Sequence, residues 1–295
     1  SSVVAKTYES KTMKHWDTVA VVGVGLIGGS IGLGLRRRGL AREVVGVGRR
    51  QESLQTAVQL GAVDHTTLDL ADAAAEADLI IVCTPVGRIA ADVRAAAAVS
   101  QRQPLITDVG STKAQIVAEL ERGLPGGARF VGSHPLAGGE KNGPAAADGD
   151  LFVDRTVVVT PTALTRPGDA ADLEQLWIGL GARVVRMSPD DHDRALAATS
   201  HLPHLVAAAL AAATSIDDLP LTASGWADST RIAAGDPELW SQIFLSNRAN
   251  VLAALDRYRE TLDDFQQALG DGSEPQLIRL LSEAKCRRDA RNERP

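Results

Sequence analysis

The β-branched run Val19-Ala-Val-Val22 leads directly into Gly23-Val-Gly-Leu-Ile-Gly28, and a helical pattern begins at once. A strand that turns on three glycines and re-enters as a helix constrains a chain severely. The first glycine permits the tight turn, the second lets backbone approach a pyrophosphate, and the third lets the helix pack close to the strand. The helix start then offers unpaired N–H groups and a positive dipole end to phosphate. The segment Gly23, Gly25, Leu26, Ile27 and Gly28 is therefore the candidate cofactor-binding turn of a Rossmann-like domain.

About twenty residues further on, an enzyme that uses NAD carries Asp or Glu against the ribose 2′-hydroxyl. Here the second strand reads Glu43-Val-Val-Gly-Val-Gly-Arg-Arg50, with Gly48 at the expected acidic position and Ser53 a little later. Without a carboxylate there is no repulsion against a 2′-phosphate. Two guanidinium groups can also grip one through forked, charge-assisted bonds. Arg49, Arg50 and Ser53 thus favour NADP, with NAD possible; the bland alternative is two solvated charges after a strand.

At 295 residues the chain can hold two domains. Its net charge of −6 argues against a nucleic-acid footprint. Two distant cysteines, Cys83 and Cys286, make no disulfide framework and fit a reducing cytoplasm. The polar N-terminus has no signal-peptide core, no apolar run reads as a membrane span, and no His/Cys/Asp/Glu pattern reads as a metal site. Apolar runs at 19–22, 44–47, 79–82, 105–109, 130–132, 156–160 and 183–187 alternate with helical stretches, which predicts a parallel sheet covered on both faces. After Ser188 the periodicity is helical only, at 204–213, 236–269 and 275–285. The expected architecture is α/β: a Rossmann-like dinucleotide-binding domain at 16–187, then an all-α domain for substrate and dimerisation at 188–295.

Four clusters fall where a crevice between such domains would lie. Thr84-Pro85-Val86 follows the run at 79–82, and its backbone can pass close to a cofactor. Asp108-Val-Gly-Ser-Thr-Lys113 ends a strand, and Ser111 is either a site residue or simply a helix N-cap. Gly132-Ser-His-Pro-Leu-Ala-Gly138 puts His134 at a strand end, ahead of a loop through Glu140, Lys141 and Asn142 that has the composition of a lid. His201-Leu-Pro-His204 puts two imidazoles on one helix face, and Ala227-Asp-Ser-Thr-Arg-Ile-Ala233 embeds Arg231 among small neighbours, as for a partly buried cation awaiting an anion.

In order along the chain, Gly-Val-Gly-Leu-Ile-Gly-Gly-Ser (23–30), Thr-Pro-Val (84–86), Asp-Val-Gly-Ser-Thr-Lys (108–113), Ser-His-Pro-Leu-Ala-Gly (133–138), Ser-His-Leu-Pro-His (200–204) and Asp-Ser-Thr-Arg-Ile-Ala (228–233) resemble the prephenate/arogenate dehydrogenase family of tyrosine biosynthesis. The resemblance implies an oxidative decarboxylation. In it His134 takes a hydrogen bond or proton from the ring hydroxyl, and Ser111 orients that imidazole beside the nicotinamide. Arg231 binds a substrate carboxylate, His201 and His204 support it, and Glu140 lines the mouth. It also implies a homodimer through the helical domain, with Trp226, Trp240 and Phe244 at the interface or in the core. The acidic ribose-binding residue of NAD-using relatives is absent, and prephenate and arogenate are both open as substrate.

Two rivals share the plan. A β-hydroxyacid dehydrogenase would need a catalytic lysine in the helical half, and a cofactor-sensing regulator would have no need of His134 and Arg231. Replacing Arg49 and Arg50 together by Ala should weaken NADP by about tenfold or more relative to NAD, since each charge-assisted bond is worth about 1.5–3 kcal/mol. Titration of both dinucleotides checks this, and equal losses would reduce the pair to surface charge.

Overall fold

The computed structural model describes residues 14–139 and 142–290. Strands β1 (Trp16–Val22), β2 (Ala41–Val47), β3 (His65–Thr67), β4 (Leu79–Val82), β5 (Leu105–Asp108) and β6 (Arg129–Phe130) form one parallel sheet, ordered β3-β2-β1-β4-β5-β6. The order reverses between β1 and β4, the switch point where an open α/β sheet takes its ligand. β1 and β4 are almost wholly buried, because both faces of the sheet are covered. One face packs Val19, Val21, Ile31, Leu35, Leu79 and Ile81 against helix α1 (Leu26–Arg37) and beyond. The other packs Ala20, Val22, Ile80, Val82, Ile89 and Val93 against α3 (Leu70–Ala75) and α4 (Val86–Val99). Each such aliphatic side chain is worth about 1.5–3 kcal/mol when fully buried.

Two details differ from the sequence expectation. β3 carries no apolar run, only His65-Thr-Thr67, and is recruited by pairing with β2. The run at 130–132 is split, with β6 ending at Phe130 in the large sheet and β7 (Gly132–Pro135) entering a second one. That second sheet joins β7 antiparallel to β8 (Thr156–Thr160), and β8 parallel to β9 (Arg183–Arg186). His134 therefore lies within a strand, opposite Val158, and not at its end. The remaining helices of this half are α2 (Gln51–Gln59), packed on β2 and β3, α5 (Ala114–Leu120), packed on α4 and α7 (Pro189–Leu196), and α6 (Pro167–Gly179), packed on β8 and β9.

The helical half opens at Ser188, whose hydroxyl accepts from Asp191 N at 3.0 Å and caps α7 (Pro189–Leu196) as expected. A π-helical turn, Ala197–His201, joins α7 to α8 (Leu202–Ala213). Pro189–Ala213 is thus one 25-residue helix, with a mean hydropathy of 1.4 in its most apolar window. By length and composition it is long enough to cross a bilayer, contrary to the expectation of no such run, yet it carries His192, Asp193, His201 and His204 as buried groups. Helices α9 (Ser224–Thr230) and α10 (Pro237–Ser246) follow, with a 3₁₀ turn at Arg231–Ala234 between them. The stretch expected as one helix at 236–269 breaks at Asn247, whose φ and ψ of −116° and 30° leave the helical region. The chain is compact as one unit up to Asn247. From Arg248 a second unit consists of α11 (Arg248–Gly270) packed on α12 (Glu274–Ala290), with Gly272 at a φ of 63° in the turn between them.

The glycine turn has the backbone geometry its spacing predicts at Gly23 and Gly28. Gly23 has a φ of 98°, and a Cβ there would stand 2.9 Å from the Cys83 carbonyl oxygen. A Cβ on Gly28 would overlap the Gly23 carbonyl oxygen, whereas at Gly25 it would meet nothing within 4 Å. Gly23→Ala should cost about 1–3 kcal/mol of backbone strain and push β1 and β4 apart. Lower thermal stability together with lost dinucleotide binding is the expected result; unchanged melting would show that the turn relaxes.

Candidate active site

A cavity of about 680 Å³ opens at the switch point. Gly23, Gly25, Leu26, Ile27 and Gly28 form its floor, and Arg49, Arg50 and Ser53 line the β2 side. Thr84, Pro85 and Arg88 line the β4 side, with Thr84 Oγ1 and Arg88 Nη2 both donating to Asp92, at 2.7 and 3.1 Å. Ser111, His134, Pro135, Gly138 and Asn142 complete the wall, and Leu239 from α10 reaches the same space. The volume is of the order that cofactor sites occupy. The open space beyond Gly25 is where a pyrophosphate would fit the turn.

Gly48 occupies the position of the missing carboxylate, and a Cβ there would lie 2.9 Å from Leu54 Cδ2. Even a small side chain would have to displace Leu54, so the space that remains belongs to Arg49, Arg50 and Ser53.

Ser111 is not a helix cap. Helix α5 begins at Ala114, and its first amides are satisfied from another element. Lys113 N donates to Asp193 Oδ1 at 2.7 Å, and Ala114 N donates to Asp193 Oδ2 at 2.9 Å. A carboxylate at a helix N-terminus is well placed for the dipole. Asp193 Oδ1 also meets His192 Nδ1 at 2.8 Å, and His192 Nε2 meets His134 Nδ1 at 2.8 Å.

With both rings neutral, the protons in this chain run one way. Asp193 can only accept, so His192 donates from Nδ1 and accepts at Nε2. His134 then donates from Nδ1, and its Nε2 keeps a lone pair. Burial, followed by the fields of His192, Lys113 and His201, holds the His134 imidazole well below its ordinary pKa of 6.5. A neutral imidazole with an unused acceptor nitrogen at a cavity wall is a general base at neutral pH.

The sequence marked His134 and Ser111 but missed His192 and Asp193. Asp193 follows the acids Asp190 and Asp191 in the first turn of α7, where acids are ordinary, and nothing in the spacing says that it reaches α5. Asn247 was missed as well. Its amide nitrogen lies 2.7 Å from the Asp193 carbonyl oxygen and 3.1 Å from His201 Nδ1, so a residue that breaks a helix also ties the π turn to the network.

The remaining expected residues lie outside the cavity wall. His201 is buried, with Nδ1 on Asn247 and Nε2 without a protein partner among the described residues. His204 stacks on Trp240, with ring centroids 3.5 Å apart and planes at 13°. Trp240 and Phe244 form one aromatic cluster with it, while Trp226 donates to Thr214 at 2.9 Å. Arg231 is exposed, not partly buried as expected, because its 3₁₀ turn lies on the outside of this cluster. Gly235, which ends that turn, packs so tightly that a Cβ would stand 2.6 Å from Trp240 Nε1 and 2.9 Å from His204 Cε1. Glu140 and Lys141 lie outside the described residues.

Backbone held open for a pyrophosphate and a neutral imidazole on the wall of the same cavity are the equipment of an NAD(P)-dependent oxidoreductase. Comparison with known proteins makes the class specific. The family described as prephenate dehydrogenase, nucleotide-binding domain, matches residues 31–186, and prephenate dehydrogenase, dimerization domain, matches residues 188–283. The prephenate dehydrogenase of Bacillus subtilis is 34% identical over 280 residues, covering 92% of this chain and 76% of that protein. The crystal structure of prephenate dehydrogenase from Aquifex aeolicus with hydroxyphenyl propionate and NAD+ is 33% identical, with a TM-score of 0.86 over 96% of this chain and 99% of that one. The Synechocystis arogenate dehydrogenase structure is 35% identical, with a TM-score of 0.79 over 92% of this chain and 99% of that one. The chain belongs to the prephenate dehydrogenase family.

The buried imidazoles make stability depend on pH. Burial lowers His134 and His204, and takes His201 to about 4. Below the ordinary value near 6.5 the unfolded chain binds protons that the fold refuses, so this contribution is present above about pH 6.5 and is lost as pH falls toward the lowered values. Thermal melts should decline steadily from pH 6.5 to 4, and a flat profile over that range would contradict the burial of these rings.

Proposed function

We propose that the protein catalyses oxidative decarboxylation of prephenate to 4-hydroxyphenylpyruvate in tyrosine biosynthesis, with NADP as the preferred cofactor. The observation that carries the proposal is the hydrogen-bonded chain from Asp193 through His192 to His134. When bound, NADP+ supplies the hydride acceptor for the hydroxyl-bearing ring carbon. His134 Nε2 takes the hydroxyl proton, and the charge that develops on its ring is stabilised through His192 by Asp193. The carbonyl formed this way draws electrons from across the ring, the ring carboxylate departs as carbon dioxide, and aromatisation makes the step irreversible. Ser111, expected to orient the imidazole, lines the cavity alongside His134, and because His192 holds His134 Nδ1 its role is recast as orienting the substrate hydroxyl.

The preference for NADP is supported by Gly48, by the packing of Leu54 against it, and by Arg49, Arg50 and Ser53 on the cavity wall. Glu140 belongs to the loop that follows His134 and is assigned to the mouth of the cavity by family resemblance. Arg231 is assigned to a substrate carboxylate on the same ground. Its turn is held by the stack of His204 on Trp240, which gives His204 an indirect role. His201 supports the network through Asn247.

A homodimer is proposed as well. Ile216 and Leu221 in the 3₁₀ segment at 216–221, and Leu245 in α10, are 82%, 83% and 71% exposed, apolar side chains that a partner subunit would cover. A cytoplasmic location is consistent with the two free cysteines. Arogenate is the second reading, favoured by the likeness to the Synechocystis arogenate dehydrogenase.

The test is a comparison of kcat/KM for prephenate and arogenate with NADP and NAD, followed at the reduced-nicotinamide band. Turnover of neither substrate would overturn the proposal. His134→Asn should lower kcat by roughly a hundredfold or more, as expected for a lost acid/base group. Dinucleotide affinity should be nearly unchanged, and near-normal turnover would remove His134 from its role.

A further inference from the structure

Asp108 and Lys113 form an ion pair in which both side chains are 0% exposed. An ammonium taken wholly out of water is costly, and replacing such a pair by apolar residues often leaves a protein no less stable. The pair therefore calls for a reason other than stability, and its connections supply one. Asp108 Oδ2 accepts from Gly110 N at 2.9 Å as well as from Lys113, while Asp108 Oδ1 accepts from Ser133 N at 3.2 Å. All these donors are N–H groups, which suits an ionised carboxylate. Ser133 immediately precedes His134 on β7, and its hydroxyl returns a bond to the Asp108 carbonyl at 2.7 Å. The main-chain N–H of the same Lys113 holds Asp193, the anchor of His192. Lys113 thus grips, by its two ends, the two supports of the proton-accepting imidazole.

We propose that Lys113, paired with Asp108, is a positioning residue for His134: it fixes the strand that carries this ring to the carboxylate that orients its partner, and its charge keeps the ring in the unprotonated form that accepts the substrate proton. The inference rests on the reading of His134 as the base. The ionisable groups around His134 are His192 and Asp193 from α7, His201 from the π turn, Asp108 at the end of β5 and Lys113 in the turn that follows. From the paired strand β8, Val158 faces His134 and is neutral. Among these groups Lys113, charged through its pairing with Asp108, is the cation whose field opposes a positive charge on the imidazole. Burial pulls Lys113 below its own ordinary range, and Asp108 opposes that pull.

The experiment compares pH profiles of kcat, with prephenate and NADP, for the wild-type chain, Lys113→Gln and His134→Asn. Lys113→Gln should keep dinucleotide affinity within about threefold, because the residue does not line the cavity. Its acid limb should rise by about one pH unit, the usual effect of removing one nearby like charge, so that its loss of turnover is about tenfold greater at the acid end than at high pH. An equal loss at every pH, or a limb that stays in place, would reduce Lys113 to a structural role and overturn the proposal. If Lys113→Gln does not fold, Asp108→Asn is read instead: it removes the carboxylate that opposes the field of Lys113, so the acid limb should move to lower pH, and a limb that stays in place would overturn the proposal. The His134→Asn profile separates the two claims. If that variant retains the acid limb, the base assignment itself fails; if it loses the limb while Lys113→Gln leaves it unmoved, only the role of Lys113 fails.

Discussion

The carboxylate of Asp193 connects parts of the protein that would otherwise have no reason to keep their spacing. Two of its bonds go to the first amides of α5, which has no cap of its own, and one goes to the ring that supports His134. A helix start buried without acceptors is expensive, since its N–H groups have no intrahelical partner. Removing the carboxylate would therefore strand two amides and release His192 together. Folding and chemistry are coupled at this one side chain, and the position of α7 against the start of α5 is constrained by it.

The dinucleotide half was legible because its signals are local. A strand, three glycines and a helix start are adjacent in sequence, and the turn shows the positive φ at Gly23 and the close helix approach at Gly28 that their spacing implies. The missing acid at Gly48 was legible for the same reason. β3 was not, because His65-Thr-Thr67 has no apolar pattern and exists as a strand only through β2. Nor was the second sheet, since the chain changes sheets at Val131 without any turn residue there.

In the site, the single residues were readable and the connections were not. His134 and Ser111 stood out by motif, but the partners that set the tautomer come from α7, some 58 residues away in the case of His192. Arg231 was read as half-buried from its small neighbours. Only Gly235, at the end of the turn, is seated against the His204–Trp240 stack, and Arg231 itself is exposed. Asn247 was hidden for a different reason: as a helix breaker it leaves no trace of its second use, because hydrogen bonding to α7, 54 residues earlier, has no sequence period.

The π turn at Ala197–His201 sets the angular phase between two groups of histidines. His192 lies before it and His204 after it, on what is otherwise one continuous helix. An α-helix advances roughly 100° per residue. Deleting one residue to regularise that turn would swing the downstream segment by about that angle, carrying the His204 ring off Trp240 while His192 stayed on Asp193. The wide turn thus acts as a phase corrector, and single-residue length changes between Leu196 and Leu202 are the ones this fold is least able to absorb.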